Sequence, residues 1–141
     1  MLVAMLDPSH PNHDDAHVWF GRNAGFGWAT ASITVNGCLR VLSNPAYKTL
    51  DARPEEVAEK LRVATAHRDH RFWQDDVNLI DAEVIRTEML GGHKYVTDAA
   101  LLALALRNDG RLVTFDRSIP LKAVIGAKAE HLEVLGRVAP Q

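Results

Sequence analysis

The sequence holds a single cysteine, Cys38, so no disulfide can close within the chain. No Cys/His spacing matches a zinc site either. Long hydrophobic runs are also missing. The longest apolar stretch covers residues 99–106, far short of the roughly 20 residues a membrane-crossing helix needs. Residues 1–6 lack the basic flank and the length of a signal peptide. A cytoplasmic protein without membrane association is therefore expected. Neither sign of charge prevails: 16 Lys and Arg against 18 Asp and Glu leave a net charge of −2. That balance argues against sequence-blind nucleic-acid binding over the whole surface, while allowing a local basic rim around an acidic pocket. Repeats and low-complexity tracts are absent. What remains is 141 residues, 47% hydrophobic and 24% charged, the composition of one globular domain spanning 1–141.

Hydrophobic periodicity and breakers divide the chain into short helices and strands. Asp7-Pro8-Ser9-His10-Pro11 reads as a turn. Asp14 and Asp15 suit a helix N-terminus, predicting a helix over 12–23. Gly21, Gly25 and Gly27 then break the chain before a short strand at 28–30. Val35, Cys38, Leu39 and Leu42 recur at helical spacing, with Asn36 and Arg40 on a more polar face. Ser43-Asn44-Pro45 stops that helix. Pro54, Glu55 and Glu56 open another, whose inner face carries Val57, Leu61 and Ala64. A strand at 71–73 and a loop at 74–78 follow. A helix is predicted over 81–90, ended by Gly91-Gly92. The helix over 97–108 is apolar nearly all round and should be buried on more than one face. A strand at 111–115, a short helix near 120–124 and a last strand at 131–135 complete the pattern. Strands alternating with helices imply an α/β fold with a mainly parallel central sheet flanked by helices.

Two acids stand at the ends of apolar elements. Asp98 begins the 97–108 helix and Asp116 follows the 111–115 strand. Each has a local explanation: Asp98 favours the helix dipole, and Asp116 can cap the following turn, as Ser118 also can. Taken together they frame one helix–turn–strand unit. Antiparallel packing of that helix on that strand brings both acids to one edge of the sheet, where α/β proteins build their sites. Two carboxylates so placed can converge on a hard divalent cation.

Among the other candidates, His13 and His17 share a helix face but lack the glutamate of a zinc-protease motif, and a solvated face is expected. His67, His70 and His93 read as surface or loop residues. Trp19, Phe20, Trp28, Phe72 and Trp73 read as core or dimer contacts, and Cys38 as an inert core thiol. Lys94 stands just before Asp98 and can touch phosphate or stay in a solvated loop; Arg117 adjoins Asp116 and can neutralise phosphate charge or pair with a carboxylate, and Arg40, which shares a helix face with Asn36, has the same two readings.

Several stretches together resemble a known family. They are Gly27-Trp28-Ala29-Thr30; Thr34-Val35-Asn36-Gly37-Cys38-Leu39-Arg40-Val41-Leu42-Ser43-Asn44-Pro45; Phe72-Trp73; Thr97-Asp98-Ala99 with Leu101-Leu102-Ala103-Leu104-Ala105; and Leu112-Val113-Thr114-Phe115-Asp116. The chain is similar to PIN-domain proteins, and more narrowly to VapC-type toxins of bacterial toxin–antitoxin modules. The resemblance implies a Mg²⁺- or Mn²⁺-dependent endoribonuclease toxin that cleaves RNA. It implies a homodimer silenced by a cognate VapB-like antitoxin. The family pocket commonly holds four acids, and Asp98 and Asp116 match the last two as catalytic, metal-holding residues. Asn36, Arg40, Lys94 and Arg117 are candidates for RNA contact or pocket lining.

The resemblance departs at two places. The first family acid lies in an N-terminal strand with an Asp-x-Asn-x-Leu-x-Ala pattern, which in this register falls upstream of Met1. The expectation is a PIN sequence shortened at its start, without its first, central strand, in which residues 1–6 form a helical turn and Asp7 belongs to the next turn. The second family acid is replaced by Val35. A catalytically impaired PIN-like remnant, binding RNA or antitoxin or dimerising without metal, is therefore the alternative. A phospho-accepting receiver with Asp116 as acceptor ranks below both, because its N-terminal acidic pair is absent.

Overall fold

The computed structural model describes residues 1–136. Helices alternate with short parallel strands, the α/β class expected. The fold comprises two compact units, Met1–Asp75 and a second that begins at Asp76. Among the described residues no helix is long and apolar enough to cross a membrane.

The first unit contains α1 (Leu2–Leu6), α2 (His13–Asn23), β1 (Trp28–Ala31), α3 (Ser32–Leu42), α4 (Pro54–Thr65) and β2 (His70–Trp73). Residues 1–6 form the helical turn that the sequence implies. The α3 stripe packs as its spacing predicts: Cys38 and Leu42 close a core with Val57 and Leu61 of α4, and Val35 and Leu39 flank it. At the start of α3 the Thr34 hydroxyl accepts the Ala31 N–H (2.9 Å) and donates to the Ala31 carbonyl (2.8 Å). At the start of α4, Pro54 needs no N–H partner, and Glu56 accepts the Arg53 N–H at 2.7 Å. Strands β1 and β2 pair in parallel from Trp28↔His70 to Ala31↔Trp73, which requires the long α3–α4 crossover between them. His70 is only half-buried, and its Nε2 shares a 2.9 Å hydrogen bond with the hydroxyl of buried Thr30.

Polar side chains tie this unit together where the sequence shows little. Asp7 is 0% exposed. Its carboxylate accepts the Tyr47 and Thr49 hydroxyls, each at 2.6 Å, and the Ser9 N–H at 2.9 Å. Burial pushes this carboxyl up, but those three bonds and nearby His10 outweigh it and hold Asp7 below the ordinary carboxylate range. His13 is half-buried and His17 is exposed as expected, but both also bond backbone. Nδ1 of His13 meets the Ala4 carbonyl at 2.8 Å and Nε2 of His17 meets that of Met5 at 2.9 Å. They satisfy carbonyls at the end of α1, which a short helix leaves without partners.

The second unit holds α5 (Val96–Arg107), β3 (Leu112–Thr114) and β4 (Leu132–Val134), with β3 and β4 parallel from Leu112↔Leu132 to Thr114↔Val134. Ala99, Ala100, Leu102, Ala103, Leu104 and Ala105 of α5 are all buried, as its nearly continuous apolar surface requires. The predicted helix at 81–90 does not form. Asp81 instead accepts the Glu83 N–H in a side-chain turn (2.9 Å). The backbone then bonds across the unit: Arg86 N–H to the Ala123 carbonyl (2.8 Å) and Ile125 N–H to the Val84 carbonyl (3.0 Å), around an antiparallel Ile85–Val124 bridge. Burial of Ile85 and Val124 in one apolar cluster outweighs local helix propensity. The predicted helix at 120–124 shrinks to one 3₁₀ turn, Leu121–Ala123.

Two substitutions test this packing. Leu102→Ala, at a fully buried position of α5, should destabilise the protein by about 2–5 kcal/mol in urea titration. Asp7→Asn should lose roughly 1.5–3 kcal/mol at neutral pH, the worth of hydrogen bonds to a charged group. Since the folded-state Asp7 titrates below its ordinary value of 3.8, its stabilisation is complete above that pH and fades as pH falls through the folded-state value. The stability gap between wild type and Asp7→Asn should therefore narrow in acid.

Candidate active site

Asp98 and Asp116 belong to the same unit, close enough for the charge of one to act on the other. Asp98 lies in the first turn of α5. At the other end of that helix Asp109 adopts φ +52° and the Gly110 N–H bonds the Ala105 carbonyl at 2.8 Å. The chain turns there into β3, and Asp116 lies two residues beyond that strand. Burial first, and the Asp116 charge second, raise the pKa of the Asp98 carboxyl. A first-turn carboxylate should gain from the helix dipole, so these two influences outweigh that gain.

Asp116 sits in the opposite situation. Its Oδ1 accepts both the Ser118 N–H and the Ser118 hydroxyl, each at 2.7 Å, and its own N–H donates to the Thr114 hydroxyl at 3.0 Å. The two Ser118 bonds lower its pKa; slight burial opposes them and the Lys94 charge adds to them. The capping role open to Asp116 in the sequence is thus realised, on Ser118, at the same time as the approach to Asp98. Ser118 as the residue that holds Asp116 is what the sequence left undecided. Its only signal is the Asp-x-Ser spacing of a side-chain turn.

Lys94 lies in the 3₁₀ turn His93–Tyr95 that leads into α5, its Nζ 4.8 Å from the centre of the Tyr95 ring. Arg117 is exposed beside Asp116. Asn36 and Arg40 are exposed on α3 of the first unit, whereas Val35 turns into that unit's apolar cluster. Among the described residues no three His, Cys, Asp or Glu side chains form a set able to hold a metal ion. Two carboxylates are nonetheless a donor set that suits one class of ion. Mg²⁺ keeps several waters and is commonly bound through one or two carboxylates together with substrate phosphate.

No protein-family model matches the chain. Curated relatives do. It is 44% identical over 138 residues to ribonuclease VapC44 of Mycobacterium tuberculosis, covering 96% of this chain and 94% of that protein. It is 37% identical over 126 residues to ribonuclease VapC39 of the same organism, covering 89% and 91%. Ribonuclease VapC38 of that organism is 43% identical over 121 residues, covering 84% and 82%. With this identity along nearly its whole length, and with the α/β fold to match, the chain belongs to the VapC ribonucleases, and so to the PIN-domain toxins.

Proposed function

We propose that this chain is a divalent-metal-dependent endoribonuclease toxin, cleaving RNA phosphodiester bonds with Mg²⁺ or Mn²⁺ held by Asp98 and Asp116. The observation that carries this reading is identity to the VapC ribonucleases along nearly the whole chain. Beside it stands Asp98, whose carboxyl is raised by burial first and by the Asp116 charge second, and perturbed acids of this kind gather at functional sites. A bound divalent ion supplies Lewis-acid activation of the phosphodiester and lowers the pKa of an attacking water. The protein's own groups divide the remaining work. Asp116, kept ionised by Ser118 and Lys94, is the fixed anionic ligand. Asp98 is the carboxylate whose charge is least favoured until a cation arrives. Lys94 and Arg117, next to the acids, can neutralise RNA phosphate, and Asn36 and Arg40 are candidate RNA contacts on the first unit. The reading extends to a cytoplasmic protein acting as one functional domain over 1–141, as a homodimer silenced by a VapB-like antitoxin.

A second reading has one observation in its favour. The described residues supply no third metal-ligating side chain to the pair, and Val35 is engaged in apolar packing. A PIN-like module that binds RNA or antitoxin without retaining metal would look the same at these positions. Measuring Mn²⁺ binding and RNA cleavage separates the two. Under the first reading wild type binds Mn²⁺ and cleaves, and Asp98→Ala lowers cleavage by roughly 100-fold or more, the scale of losing one preorganised electrostatic group. Cleavage by the variant at the wild-type rate excludes the proposed site.

A stability measurement gives an independent check. Because the folded-state pKa of Asp98 lies above its ordinary 3.8, its ionisation destabilises the metal-free fold as pH rises through and beyond that value. Asp98→Asn should raise Tm at neutral pH, with the gain vanishing below pH 3.8. Adding Mn²⁺ should raise the Tm of wild type by mass action and leave the variant nearly unchanged.

A further inference from the structure

A groove of about 490 Å³ in the second unit stands apart from the two acids and is lined by residues that the proposed chemistry does not use. Its walls are two loops, 86–89 and 121–128, held together by the backbone bonds around the Ile85–Val124 bridge. The Arg86 guanidinium adds a bond to the Lys122 carbonyl at 3.1 Å. Val124 belongs to the buried core, so the groove is part of the packed fold. Its floor is aliphatic, with Met89, Leu121 and Val124, and the lining contributes Arg86, Lys122 and Lys128 but no acid. Among the described residues no ion pair engages any of these three cations.

Three exposed cations in the lining, with Glu88 of the same loop outside it, suit an anionic occupant. Sequence continuity says which one. Leu121 and Lys122 follow Asp116 by only a few residues, and at about 3.4 Å per residue the chain cannot carry the groove farther than roughly 20 Å from that acid. A polyanion whose scissile bond lies at Asp98 and Asp116 would reach the groove along its own backbone. We propose that this groove is a binding site for single-stranded RNA outside the cleavage centre, with Arg86, Lys122 and Lys128 meeting phosphates and the aliphatic floor accepting a base. The assignment rests on the ribonuclease reading and names where its substrate is gripped.

The double variant Lys122→Gln, Lys128→Gln tests it, since both lysines are exposed and the Lys122 carbonyl that Arg86 uses is retained. Binding of a fluorescein-labelled single-stranded RNA of mixed sequence is followed by anisotropy in EDTA, across a range of salt. Affinity should fall by about tenfold or more near 0.1 M salt. The slope of log affinity against log salt should become shallower by about 0.7 for each phosphate that the variant no longer neutralises. Tm and Mn²⁺ affinity should stay at wild-type values. Unchanged RNA affinity and slope in the variant overturn the groove assignment while leaving the ribonuclease reading intact. Wild-type RNA binding combined with selective loss of antitoxin binding by the variant overturns it too, and gives the groove to a protein partner. Failure of wild type to bind RNA in EDTA overturns the groove assignment alone, because the ribonuclease reading is decided separately by cleavage with Mn²⁺.

Discussion

Burial of α5 is the constraint on which the placement of Asp98 depends. Helix α5 is buried along its length by Ala99, Ala100, Leu102, Ala103, Leu104 and Ala105, which fixes the helix whose first turn carries Asp98. Burying large aliphatic side chains contributes on the order of 2 kcal/mol each. Coulomb repulsion between partly solvated charges in the same region is of similar or smaller size. The packing therefore outweighs that repulsion, and the raised pKa of Asp98 records burial first and the Asp116 charge second. The tight turn at Asp109 and Gly110 leads the chain from the helix into β3, beyond which Asp116 lies.

The environments of the two acids then diverge. Ser118 gives Asp116 two hydrogen-bond donors on one oxygen, while Asp98 has burial and a like charge. One group is biased toward ionisation and the other against it, the division that lets neighbouring acids take different roles. Membership of the VapC ribonucleases rests on identity along nearly the whole chain.

Much of this is legible in the residues. The α3 stripe, the Pro54 start of α4 and the all-round apolar α5 follow from periodicity and breakers, because in each case local preference and burial agree. Residues 81–90 defeat that logic. Their backbone pairs with a loop some forty positions later in the chain, around Ile85–Val124, and no local pattern encodes such a partner. Asp7, His13 and His17 escape it for a related reason. A turn aspartate and two helix-face histidines look solvated in isolation. Their partners, Tyr47 and Thr49 for Asp7 and the α1 carbonyls for the histidines, are supplied only by the fold. Val35 shows the reverse case, in which an apolar residue at a family acid position is explained by the cluster it joins.

The ladder between β1 and β2 carries a kinetic consequence. Trp28 cannot meet His70 until the whole of α3 and α4 has been made, so the ladder is among the contacts of greatest sequence separation in its unit. Closing so long a loop loses chain entropy before any strand bond is gained. On a ribosome, β1 would emerge and wait with unpaired edges while the helical hairpin assembled behind it. The compact α3–α4 pair shortens the effective distance the late strand must search, and so acts as the scaffold on which the ladder finally closes.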